Sequence, residues 1–196
     1  MLKTVVIVVV VLIVALLVFA ATKPDTFRVQ RAARINAPPE KIFALINDFH
    51  SWGSWSPFER LGSVTTRTFR GAENGKGAVY EWEGNGDTGA GRMEITASSP
   101  TSMVTVKLHL IKPIESHNIV EFTLQAKGDS TNVTWAMHGR NPYFARVMSV
   151  FRSMDSMVGK DFETGLARLK TVAEKPTADA MTSPAQLPYA ARHFSR

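Results

Sequence analysis

The 196-residue chain contains no cysteine. Disulfides, thiolate metal sites and cysteine nucleophiles are excluded, although this does not by itself fix the compartment. Dense blocks of like charge are missing too. Net charge is +6 and the isoelectric point is near 9.8. Yet Arg28, Arg31, Arg34, Arg60, Arg67 and Arg70 are scattered along the chain. A nucleic-acid surface needs a stripe or cluster of cations, so no nucleic-acid partner is expected. A solvated surface able to face anionic headgroups fits better. No H-E-x-x-H and no G-x-S-x-G occurs, so neither a zincin site nor an acyl-transfer elbow is expected. The five histidines form no recognisable ligand set, and no metal is expected. Internal repeats are absent.

One motif of cofactor chemistry is spelled out: Gly84, Gly86 and Gly89 read G-x-G-x-x-G. A dinucleotide fingerprint requires a helix directly after the glycines and an acid about 20 residues on. Here Met93, Ile95 and Ala97 alternate with Arg92, Glu94 and Thr96, and Lys107, Leu108 and His109 occupy the place of the acid. Period two means a strand, so the run is a hairpin connection and no cofactor is expected.

What is present begins with a long apolar run. Val5 to Ala21 carries no charge and lies between Lys3 and Lys23. As a helix, residues 4–22 span ~28 Å, close to the ~30 Å hydrocarbon core of a bilayer. A signal peptide is the rival, with Val18, Phe19 and Ala20 at a cleavage spacing, but the run exceeds the usual ~7–15 apolar residues of one. Residues 1–23 are read as a single transmembrane anchor in the cell membrane. Lys23, Arg28, Arg31 and Arg34 lean the following domain towards the cytoplasm.

Residues 24–174 read as one α+β domain. A strand at 27–35 places Phe27, Val29, Ala33 and Ile35 on one side. Asn36 can cap a helix that Pro38 and Pro39 open, with Ile42, Phe43, Leu45 and Ile46 at helical spacing. After an aromatic loop come strands at 63–70, 77–84, 90–98, 102–111, 116–126 and 131–139. Their connections are short, which favours antiparallel neighbours. Asn141 and Pro142 then open one long terminal helix to about residue 174. Its apolar stripe contains Phe144, Met148, Phe151, Val158, Phe162, Leu166 and Leu169. Residues 175–196 hold three prolines and no period, and read as a disordered tail.

Several stretches, quoted in chain order, carry a resemblance: "FRVQRAARINAPPEKIFALINDFHSWGSWSPFE", "GAVYEWEGN", "GAGRMEI", "IKPIESHNIVEFTL", "VTWAMHG" and "MDSMVGKDFETGLARLK". Over residues 27–173 the chain resembles the START-like (SRPBCC) polyketide cyclase/dehydrase superfamily, and more narrowly its bacterial single-anchor members. The resemblance implies a helix-grip fold, in which a curved antiparallel sheet of six or seven strands wraps the terminal helix around a cavity. It implies no catalytic motif, because the superfamily shares the cavity alone.

The expected cavity residues are Asp155, Met148, Phe151 and Met154 on the terminal helix. Tyr80, Trp82, Met93, Trp135 and Met137 join them from the strands. Asp155 interrupts the apolar stripe, where a carboxylate must be paired or protonated. It is either a polar anchor for a ligand or the partner of Arg92, His117 or the Trp135 indole. Flexible methionines suit an adaptable pocket and equally an ordinary core. Trp52 and Trp55 are expected to brace the loop at the mouth. The leading expectation is a membrane-anchored domain binding a lipid-like or aromatic apolar molecule, without turnover. The alternatives are a cyclase or dehydratase in the same cavity, and a ligand-free protein-interaction module.

Overall fold

The computed structural model describes residues 1–60, 64–84 and 89–176. Residues 177–196 of the expected 175–196 tail and the middle glycine, Gly86, therefore lie outside the described residues. Helix α1 (Leu2–Ala21) precedes strand β1 (Thr26–Ile35) and helix α2 (Pro39–Asn47). Two short 3-10 turns, Phe49–Ser54 and Pro57–Arg60, lead to β2 (Val64–Gly71). The strands β3 (Ala78–Gly84), β4 (Ala90–Ser99), β5 (Met103–Lys112), β6 (Ser116–Lys127) and β7 (Ser130–Arg140) follow. They form one antiparallel sheet ordered β1-β7-β6-β5-β4-β3-β2. Each strand after β2 pairs with its predecessor, as the short connections require. Only β1 crosses to the far edge, beside β7.

The glycine run joins two strands, β3 and β4, that pair as antiparallel neighbours. The Gly84 amide donates to the Gly89 carbonyl at 2.8 Å. Gly89 has φ near +60°, and a Cβ there would lie 2.2 Å from the Lys112 carbonyl oxygen. Only glycine fits that turn.

The helix capping differs in detail from the sequence expectation. Pro38, not Asn36, takes the cap position of α2, and the Asn36 amide instead donates to Glu174. At the other end of α2, two indoles take over carbonyls that the helix leaves open. Trp52 donates to Ile46 at 2.9 Å and Trp55 to Leu45 at 3.0 Å. Both rings are buried. They brace the aromatic loop, and do so by core packing.

The terminal helix is not continuous. Helix α3 (Tyr143–Ser149) stops, and α4 (Met154–Ala173) restarts at a new cap. The Ser153 hydroxyl accepts from the Ser156 amide, and Ser153 has extended backbone angles. A serine that captures its own backbone amides favours a cap over a helix interior. The stripe drawn through both pieces is therefore corrected. Phe162, Leu166, Leu169 and Ala173 are buried, whereas Phe144, Met148 and Phe151 are exposed. Helix α3 packs instead beside the end of α1, where Tyr143 donates to the Leu17 carbonyl at 2.9 Å.

Helix α4 runs chiefly along edge strand β1 and is tied down at both ends. Near its start, Arg31 of β1 donates to both Asp155 oxygens at 2.7 and 3.0 Å and to Glu163 at 2.7 Å. Near its end, Lys170 donates to the Arg34 carbonyl of β1 at 3.0 Å and to Glu174 at 2.7 Å. The hydrogen bond from Arg31 holds the Asp155 carboxyl below its ordinary value of 3.8. Lys170, and then the Asn36 amide, do the same for Glu174 from 4.5. A depressed carboxylate contributes stability that is complete above the unfolded pKa and is lost as pH falls through the folded one. The protection of α4 amides, with exchange rates corrected for their intrinsic pH dependence, is thus expected to hold steady from pH 8 to about pH 5 and to fall below about pH 4. Arg31→Met should flatten the part of that profile due to Asp155. An unchanged profile in this variant would show that the clamp carries nothing.

Candidate functional site

The inner face of the sheet divides into a closed half and an open half. Under α4 it is closed. Trp135 stacks on Phe162 with ring centroids 4.3 Å apart, and Trp55 and Phe122 meet it at 5.6 and 5.0 Å. All four rings are buried. Trp135, expected to line a cavity, is instead a centre of the core, and its indole nitrogen has no hydrogen-bond partner.

The open half lies at the end of the sheet nearest α1, beyond the first turn of α4. Register brings Phe27, Gly139 and Asn118 into one row across β1, β7 and β6, and Met93 opposite Leu108 across β4 and β5. Phe27, Trp82, Met93, Leu108, Met154 and Val158 pack against the core yet keep part of their surface accessible. Met137 is buried beneath them. The Trp82 ring lies flat over Gly91, where a Cβ would come within 2.3 Å of Trp82 Cζ2. So of the expected cavity residues, Trp82, Met93, Met137 and Met154 gather at this end. Met148 and Phe151 do not, because the chain leaves the sheet at the helix break.

Asp155 is corrected as well. Its side chain is 57% exposed and its partner is Arg31, not Arg92, His117 or Trp135. It does lie on the face of α4 that continues through Phe162, seven residues on, but that end of the helix meets an arginine on the edge strand. The interior polar groups lie elsewhere. Asn118 is buried on the inner face, donating to the Ser116 hydroxyl at 3.2 Å. The Tyr80 hydroxyl is buried without a formed hydrogen bond. Nearby, the carboxylate of Glu59 pairs with Arg67 at 3.2 Å. Burial first, and then the Glu59 charge, push the Tyr80 hydroxyl up to about 12. It is protonated at neutral pH, a hydrogen-bond donor and not a base.

The outer face carries a groove of about 840 Å³. Arg28, Arg92, Lys107 and Arg140 line it with His109, His117 and His138. Contrary to the sequence expectation, histidines and a carboxylate do come together here. Donor atoms of His109, Glu115 and His117 lie within 4.8 Å of one another. The two imidazoles stack at 4.1 Å, and His109 Nε2 is 3.0 Å from Glu115. The register pairing of His109 with His117 created this set, and strand adjacency was its one sign in the sequence. Arg92 stands opposite His109 on the neighbouring strand, so local charge works against a cation, and the trio reads as a surface hydrogen bond between His109 and Glu115 beside a stacked imidazole.

Comparisons agree with this architecture. Residues 26–174 match the family model described as polyketide cyclase / dehydrase and lipid transport. Comparison with curated proteins finds no match. Among solved structures, the di-domain ARO/CYC BexL from the BE-7585A biosynthetic pathway is similar at 14% identity and TM-score 0.57. The alignment covers 81% of this chain and 53% of that one, so the chain spans about half its length. The major latex-like protein 151 of Panax ginseng is similar at 15% identity and TM-score 0.55, over 78% of this chain and all of that one. At such identities the likeness is one of fold: a curved seven-stranded antiparallel sheet with a terminal helix.

Proposed function

We propose that this chain, which belongs to the polyketide cyclase / dehydrase and lipid transport family, is a membrane-anchored binding domain for a hydrophobic small molecule. The ligand is lipid-like or aromatic and enters the open half of the inner face. The observation that carries this reading is the row of partly accessible apolar side chains there: Phe27, Trp82, Met93, Leu108, Met154 and Val158. Apolar surface left open on a concave face is the ordinary lining of a small-molecule pocket. Burying it against a ligand supplies affinity at roughly 25 cal/mol per Å². Asn118, the buried amide at that end, is the polar group that orients the guest. Helix α1, long and apolar enough to cross a bilayer by length and composition, is the anchor in this proposal.

The test fills the cleft. A dansyl-labelled fatty acid is titrated into the full chain in nanodiscs, with energy transfer from the tryptophans as readout. Leu108→Phe with Met93→Phe should weaken binding about tenfold, a change of ~1.4 kcal/mol. Equal affinity in the filled variant would remove the cleft from consideration. A second reading, a cyclase-type reaction in the same space, is favoured by the buried Tyr80 donor, which can polarise a carbonyl. Turnover lost in Tyr80→Phe while probe uptake persists would select that reading.

A further inference from the structure

The connections that meet at one end of the sheet share a property that the ligand cleft does not explain. Antiparallel register sets the start of β1 beside the end of β7, with Thr26 opposite Arg140. It also brings the β5–β6 connection to this end, since Leu110 pairs with Ser116. Helix α1 stops only five residues before β1. Large apolar side chains protrude here from two separate segments: Ile111 and Ile114 at the β5–β6 tip, and Phe144, Met148 and Phe151 along α3 and the break after it. Their exposure runs from 47% to 73%. Two partly exposed rings, Phe58 and Phe69, belong to the 3-10 turn and β2 and lie apart from this cluster.

Exposed apolar groups of this size on two converging segments call for a partner. Continuity identifies it. Helix α3 packs on the last turns of α1, and the Arg146 guanidinium donates to the Ala21 and Lys23 carbonyls at 3.4 and 3.3 Å. Phe144, Met148 and Phe151 therefore sit beside the end of a helix whose own apolar surface is open along almost its whole length, while register places Ile111 and Ile114 at the same end of the sheet. The charge fits as well. From residue 140 to 154 the chain carries Arg140, Arg146 and Arg152 and no acid. Asp25, Glu115 and Asp155 are the carboxylates nearest this rim in sequence, the last of them paired with Arg31, against Lys23 and Lys112. Apolar tips among cations are the composition of a surface that lies at the headgroup boundary of an anionic bilayer.

We infer that the anchor end of the domain rests on the membrane. Ile111, Ile114, Phe144, Met148 and Phe151 enter the interface, so the inner-face cleft opens against the leaflet. This rests on the proposed anchor, and its consequence is that a membrane-borne guest reaches the cleft without crossing bulk water.

The absence of cysteine makes the test clean. Four single variants, Val10→Cys, Ile114→Cys, Phe151→Cys and Asp129→Cys, each carry one environment-sensitive fluorophore on the full chain. They are placed in nanodiscs of phosphatidylcholine and phosphatidylglycerol containing doxyl lipids. Asp129 lies at the β6–β7 turn, roughly 40 Å away along the 12 residues of β6. Quenching at Ile114 and Phe151 is expected to exceed that at Asp129 by at least about twofold, as for groups ~5–10 Å into the interface. Val10 should be quenched by deep-labelled lipid. Strong quenching at Val10 with Ile114 and Phe151 at the level of Asp129 would overturn the docked orientation while leaving the anchor intact. An unquenched Val10 would remove the anchor and this inference together. Neither result touches the cleft, which fatty-acid binding tests separately.

Discussion

Trp135→Ala is expected to lower the unfolding free energy by about 3–5 kcal/mol. The indole is 2% exposed and touches Trp55, Phe58, Phe122 and Phe162. Its removal opens a void that no neighbour can fill, because each of those rings is itself held by the others. The stacked partner Phe162 belongs to α4, so the void lies at the seam between helix and sheet. Urea denaturation of the full chain in detergent, followed by circular dichroism, measures the loss. A cost below about 1 kcal/mol would mean that the seam is not close-packed, and the closed half would have to be redrawn as cavity.

The second large effect is at Gly91. Adding a side chain there meets the Trp82 ring at 2.3 Å and the His109 carbonyl oxygen at 2.9 Å. The ring can swing; the neighbouring strand cannot. Gly91→Val is expected to destabilise by about 1–3 kcal/mol, the range for overpacking, and to tilt Trp82 off the floor of the cleft. Binding of the dansyl fatty acid should weaken with it. A double-mutant cycle separates the two contributions: Trp82→Leu in the Gly91→Val background should recover part of the stability and none of the binding. Additive losses would show that Trp82 and Gly91 do not meet.

Much of the architecture could be read from residue order alone. Period-two alternation and short connections specified seven antiparallel strands, each found within a residue or two of its expected bounds. The glycine run was legible as a hairpin because the residues after it alternate. Local chemistry of that kind depends only on near neighbours. The interruption at residues 150–153 leaves no mark on the apolar spacing, which continues through it; the deciding interaction is a single serine cap.

The site was legible in its materials but not in its assembly. Arg31 shares the phase of Phe27, Val29 and Ile35 on β1, and Asp155 shares the phase of Phe162 on α4. Each is a charge on an apolar face, and each is explained by the other. Asn118, in step with Val120 and Phe122, carries the same sign.

From order and composition alone came an apolar leading helix, a bent antiparallel β layer, an amphipathic closing segment and the family to which they belong. Those follow from rules of neighbouring residues, which a linear string contains in full. Tertiary packing alone decided that aromatic rings seal one half of the inner face, that the conspicuous acid serves as half of a clamp, and that protruding apolar tips collect where the leading helix ends. Contacts of this sort join residues from about a dozen to more than a hundred positions apart, and the energy that selects among such pairings exists only once the sheet has closed.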